Sequence, residues 1–192
     1  ADTALGGVDV LANNPAVGTG SWSVLAGTGT IAAPGIASTT VSGLSTGPNI
    51  FMWTVSNGSC PPNTSTVLAF RDQLPGPALA GPGQTVCSTS ATLAATSPTT
   101  GSGVWSLLSG TATIVSSSSV TTAVSGLSTG PATFLWTLSN GACPPATSSV
   151  TVHRDALPGP ASVSPAQTVC ATSASLGAAT TTAGTGQWSV LS

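Results

Sequence analysis

The side chains able to move a proton or hold an ion are few: Asp2, Asp9, Asp72, Asp155, Arg71, Arg154 and His153, with no Glu, Lys or Tyr in 192 residues. General acid–base catalysis uses paired titratable groups, and calcium cages use clustered carboxylates. The four aspartates are scattered. The one local concentration is His153-Arg154-Asp155, but adjacent residues of a strand point to opposite faces, so the three do not converge as a catalytic triad. In the repeat described below, the counterpart of His153 is Phe70, which carries no proton. The chain therefore reads as non-enzymatic, with no cofactor and no metal.

Four cysteines, Cys60, Cys87, Cys143 and Cys170, stand without a C-x-x-C or a Cys/His cluster. That argues against zinc and for structural disulfides in an oxidising compartment, hence an extracellular or cell-surface location. Four cysteines allow three pairings. Cys87 with Cys143 is the simplest, yet alternating strands would put these two at opposite ends of a sandwich, beyond disulfide reach. Cys60 with Cys87 and Cys143 with Cys170 uses all four and staples repeat to repeat. Both schemes stay open. The five tryptophans, Trp22, Trp53, Trp105, Trp136 and Trp188, suit a sugar-stacking platform if exposed and a core if buried. Their alternation with Thr and Ser on strand-like runs favours the core.

Charged residues are 3% of the chain and the net charge is -2, against about 25% charge in ordinary soluble domains. No basic stripe exists to displace counterions from phosphates, so nucleic acid is not an expected partner. About a third of the residues are Ser or Thr, and no apolar run approaches the roughly 20 residues that span a bilayer. Membrane insertion is not expected either.

What positions these residues is a gap-free repeat whose period, 83, is the step that carries Trp22 onto Trp105 and Trp105 onto Trp188. The same step carries Trp53 onto Trp136, Cys60 onto Cys143, Cys87 onto Cys170 and Arg71-Asp72 onto Arg154-Asp155. VSGLSTGP recurs at 41–48 and 124–131, and LPGPA at 74–78 and 157–161. Apolar residues alternate over short runs bounded by Gly, Pro, Asn and Ser, the pattern of half-buried antiparallel strands. Phe51, Trp53 and Val55 face inward, as do Phe134, Trp136 and Leu138. In the second unit the pattern predicts strands near 78–86, 89–96, 103–109, 111–116, 119–125, 132–139 and 147–154. Seven short strands in one period suit a β-sandwich, and no helical stripe appears anywhere. The fold class is all-β, with repeats at 1–73 (its first strand missing), 74–156 and a partial 157–192. The prolines Pro75, Pro77, Pro158 and Pro160 stiffen the interdomain joints, where an exposed ion pair between the Arg and Asp of each Arg-Asp dipeptide contributes about 0–1 kcal/mol.

The strings GTGSWSVLAGTGTI, TTVSGLSTGPNIFMWTVSNGSCPP and RDQLPGPALAGPGQTVC resemble the tandem immunoglobulin-like or PKD-like repeats of large Bacteroidetes cell-surface proteins, which include gliding-motility adhesins and type IX secretion cargo. The resemblance implies an extracellular stalk or adhesive array and supplies no catalytic residues. One departure is that the slot one period before Cys87 is Ala4. The alternatives are a filament subunit assembled by strand exchange between partial repeats, and a carbohydrate-binding module. Expected partners are neighbouring repeats or copies of the chain itself, with surface glycans or other cells beyond them. Because the carboxylates are dispersed, a chelator should leave the melting temperature unchanged. A clear drop on adding EDTA would reveal a metal site built from backbone carbonyls with Asp72 or Asp155.

Overall fold

A computed structural model describes residues 7–191. By contacts the chain divides into two compact units, Ala1–Pro75 with Ser139–Pro144, and Gly76–Leu138 with Pro145–Ser192. The described residues form strands and no helix. The strands of the first unit are β1 (Val8–Leu11), β2 (Thr19–Ala26), β3 (Thr30–Ile31), β4 (Ser38–Ser42), β5 (Gly47–Ser56) and β6 (Asn63–Arg71). Then follow β7 (Gln84–Val86), β8 (Ala91–Ala94), β9 (Ser102–Ser109), β10 (Thr113–Ile114), β11 (Thr121–Ser125), β12 (Gly130–Ser139) and β13 (Ala146–Arg154). Each strand from β8 to β13 begins and ends one period after its counterpart in β1 to β6.

In the second unit one sheet runs β7-β13-β12-β9 and the other β10-β11-β8. Leu93 of β8 and Val124 of β11 share one buried cluster with Trp105 of β9, Phe134, Trp136 and Leu138 of β12, and Val150 and Val152 of β13. Two sheets enclosing a common apolar layer is the arrangement of a β-sandwich. The first unit has β2-β5-β6 and β1-β4-β3, closed over Val10, Trp22, Val41, Phe51 and Trp53. Period-2 patterning produces this directly. Along β12 the buried residues are Ala132, Phe134, Trp136 and Leu138, with the positions between them only partly covered.

At the centre of each unit two indoles meet across neighbouring strands. Trp22 is the register partner of Trp53, with ring centroids 5.2 Å apart at 49°; Trp105 and Trp136 are 5.0 Å apart at 45°. Trp22 Nε1 donates to Ala37 O at 3.3 Å, and Trp105 Nε1 donates to Val120 O at 3.4 Å. Each acceptor lies on the loop that leads into the opposite sheet. The second indole packs directly against a glycine. A Cβ at Gly20 would collide with the Trp53 ring, and one at Gly103 with the Trp136 ring.

Two sequence expectations are corrected here. The predicted strand 78–86 shortens to Gln84–Val86, because Gly81 takes a positive φ of 81° and Pro82 has no N–H to enter a ladder. Trp188, expected in the core, is 53% exposed, and Leu176 is exposed too. From residue 157 to 191 there is only an isolated bridge, Val163 with Ala178, so no second sheet covers that indole. One buried polar residue is not shared between the repeats. Asn49 is wholly buried; its Oδ1 accepts from Thr28 N at 3.0 Å and Ser45 N at 3.2 Å, and its Nδ2 donates to Ser45 O at 2.8 Å. Its counterpart Ala132 is apolar and equally enclosed.

Replacing Gly103 by Ala should force the Trp136 ring from its seat, costing about 1–3 kcal/mol in chemical denaturation of the second unit. Trp136→Ala should cost about 3–5 kcal/mol. Asn49→Ala, which strands two backbone N–H groups, should cost the first unit about 1–3 kcal/mol. Unchanged midpoints for Gly103→Ala would show that the indole is not held against the backbone.

Candidate functional site

The first unit carries an open groove of about 460 Å³, walled by Leu11, Asn14, Trp22, Trp53, Val55 and Ser65 among others. Its floor is the edge of the tryptophan pair and its far wall is the face of β6. The same place in the second unit is filled by the extended segment ahead of β7. Ala80 is only 3% exposed and belongs to the core cluster, with Ala78 packed against it. Ala80 N donates to Ser148 Oγ at 3.1 Å, and Thr96 N donates to Leu79 O at 2.9 Å. β7 then continues parallel to the end of β13, Gln84 beside Val152 and Val86 beside Arg154. A side chain at Gly81 would strike Ala94 O, which explains a glycine between Ala80 and Pro82.

Counting one period back from Leu79 and Ala80 leads to positions before residue 1, and among the described residues no segment covers the groove of the first unit. The effect shows in the core. Trp53 is 5% exposed against 0% for Trp136, and Val55 is half-buried where Leu138 is buried. Ser65 is the counterpart of Ser148, so the hydroxyl that receives Ala80 N in one unit faces the groove in the other. The groove thus has the apolar floor and the polar edge needed to accept an extended peptide.

The Arg-Asp pairs do not form the expected internal ion pair. Arg71 Nη1 donates to Leu44 O at 3.2 Å and Arg154 Nη1 to Leu127 O at 3.1 Å, so each arginine clamps the VSGLSTGP loop. The aspartates, each one residue past the end of β6 or β13, take other partners. Asp155 meets His153 Nδ1 at 3.2 Å on the exposed surface. Asp72 Oδ2 accepts from Ala142 N at 2.8 Å, Asn140 Nδ2 donates to Gln73 O at 2.7 Å, and Cys143 Sγ donates to Asp72 O at 3.5 Å. These contacts lie within the first compact unit, which takes in the turn Ser139–Pro144. Gly141 sits at a φ of 52°, and any side chain there would overlap the Asp72 carboxylate. Of the joint prolines, Pro75 and Pro77 lie in the strand-free stretch between β6 and β7, and Pro158 and Pro160 in the stretch after β13.

All four cysteines are free thiols. Cys60 and Cys143 occupy equivalent turns, each backbone N–H closing on the carbonyl of the preceding Asn, Asn57 and Asn140. Cys87 follows β7 and lies by the Arg154 end of β13, whereas Cys143 precedes the Ala146 end. At about 3.3 Å per residue the strand between them spans roughly 25 Å, which rules out a Cys87–Cys143 bond in this fold. Among the described residues no three of His, Cys, Asp and Glu gather where they could hold a metal ion. Among them, too, no helix is long and apolar enough to cross a membrane. No protein-family model and no curated protein matches the chain.

The groove was half legible in the sequence: the repeat phase puts the counterparts of Leu79 and Ala80 ahead of residue 1, but the seat of that segment on Ser148 and on the tryptophan edge needed the structure. A peptide with the sequence of residues 76–86, added to the chain, should shield Trp53 from acrylamide and raise the unfolding midpoint of the first unit. At a hundred times its Kd the gain should be about 2.7 kcal/mol. No change in either readout would show that the groove is not a strand seat.

Proposed function

We propose that the chain is a piece of a tandem array of immunoglobulin-like β-sandwich repeats with a period of 83, acting outside the cell as a structural or adhesive stalk of a surface protein. The observation that carries this reading is the strand-by-strand recurrence of one sandwich at a fixed offset, down to the tryptophan pair. The sheet orders support the immunoglobulin-like assignment. Counting β7 to β13 as seven strands, the second, fifth and fourth make one sheet and the first, third, sixth and seventh the other, the grouping of immunoglobulin domains except that the first strand pairs with the seventh. Arrays of this kind obtain reach from repetition and adhesion from many weak contacts. Their partners are neighbouring repeats or copies, and glycans or other cells at the surface.

The open groove favours one second reading, a filament subunit in which a strand from another copy fills the first unit. The segment 161–169 repeats the pattern of 78–86, and Val163 and Val169 are exposed, so this chain holds both a seat and a strand of the right type. A carbohydrate-binding reading rests on Trp188, the one exposed indole of the five. Pulling the chain end to end by force spectroscopy should give separate unfolding peaks, each complete repeat releasing roughly 280 Å of extended chain. Extension without peaks would defeat the stalk. Fibres growing with concentration, and abolished by the 76–86 peptide, would favour the filament.

A further inference from the structure

We propose that Asn57 is a site of spontaneous deamidation, and that the fold shields the equivalent asparagine one period on, Asn140. The proposal stands apart from the array and filament readings. Asn57-Gly58 and Asn140-Gly141 are the two Asn-Gly dipeptides of the chain, and a following glycine, with no Cβ, leaves its backbone nitrogen open to the asparagine side chain. Both sit in the same turn, one joining β5 to β6 and the other β12 to β13. Cys60 N donates to Asn57 O at 3.2 Å and Cys143 N to Asn140 O at 3.1 Å, and Gly58 and Gly141 have φ of 57° and 52°. The backbones match, so the surroundings decide. Asn140 is half-buried, its Nδ2 donates to Gln73 O at 2.7 Å, and the Asp72 carboxylate packs against Gly141 and accepts from Ala142 N at 2.8 Å. Asn57 is exposed, and a Cβ at Gly58 would meet nothing within 4 Å. Among the described residues no hydrogen bond holds its side-chain amide.

The Gly58 nitrogen gives up its proton and attacks Cγ of Asn57. The N–Cγ bond forms, the bond from Cγ to the side-chain nitrogen breaks, and that nitrogen leaves as ammonia with the proton. Water then opens the cyclic imide at one carbonyl or the other. The products are aspartate and isoaspartate, the second of which lengthens the backbone of the turn by a methylene. Either adds a negative charge to a chain whose net charge is -2. At Asn140 the departing nitrogen is tied to Gln73 O, and the Asp72 charge opposes the negative charge that develops on the attacking nitrogen.

The test ages the full 192-residue chain, folded, in mildly alkaline buffer and follows the mass change from amide to acid. Cleavage after Arg71 and Arg154 puts Asn57 and Asn140 in different fragments, and fragmentation in the mass spectrometer locates the new acid. Asn57 should convert at least about tenfold faster than Asn140, the factor that about 1.4 kcal/mol of hydrogen bonding sets. Equal rates in the folded chain would overturn the proposal. In denaturant the two rates should converge. A difference that persists there would trace to Ser59 against Ala142 and would overturn the shielding. Asp72→Ala should raise the Asn140 rate toward that of Asn57 and leave Asn57 unchanged; an Asn140 that stays as slow without the carboxylate would remove Asp72 from the shield.

Discussion

In each unit two indole rings about 5 Å apart lie between the sheets, and the rest of the fold is arranged to let them stay there. They bridge two neighbouring strands of one sheet, so those strands must hold a single register. One ring hydrogen-bonds to the loop leading into the opposite sheet, which ties the layers together. The other ring requires a neighbouring strand with no Cβ at one position, met by Gly20 and Gly103. A tilted aromatic pair is worth about 0.5–1.5 kcal/mol beyond its area; the larger gain is the apolar surface that the pair draws in. The ring N–H groups of Trp53 and Trp136 are buried without a partner, a cost the packing offsets.

Much of this was legible beforehand. Alternation along 132–139 and 147–154 places β12 and β13 close to their observed ends, because a strand with one wet and one dry face prints its period on the sequence. Trp22, Trp53, Trp105 and Trp136 are core for the same reason. What failed had no periodic signature. Trp188 has the local context of Trp105, but burial belongs to the opposite sheet, which local context does not contain. The glycines under Trp53 and Trp136 look like ordinary turn residues in a chain with 23 of them. The Arg-Asp dipeptide suggested a pair because its charges are opposite, yet each arginine is taken by a loop carbonyl, Leu44 O or Leu127 O.

Asn49 and Ala132 show how far two copies of one fold diverge without changing it. Both occupy the same wholly enclosed site. The first unit fills it with an amide whose hydrogen-bonding groups are met by the loops around it. The second leaves a methyl, and Gly110 packs against Ala132 as its counterpart Gly27 packs against Asn49. A satisfied polar group and a small apolar one are alternative solutions to the same enclosure.

The parallel ladder of β7 on β13 joins the first strand of its sandwich to the last, Gln84 to Val152. Contacts so distant along the chain are slow to form, and this one does not exist until the final strand is available. A polypeptide emerging from its amino end therefore exposes nearly a whole period before the sandwich can shut. The sheet edges stay unsealed during that interval, and the near absence of charge gives them little protection from one another. Proline at 75, 77 and 82, by withholding backbone donors from the stretch that waits longest, lowers the hazard of premature pairing.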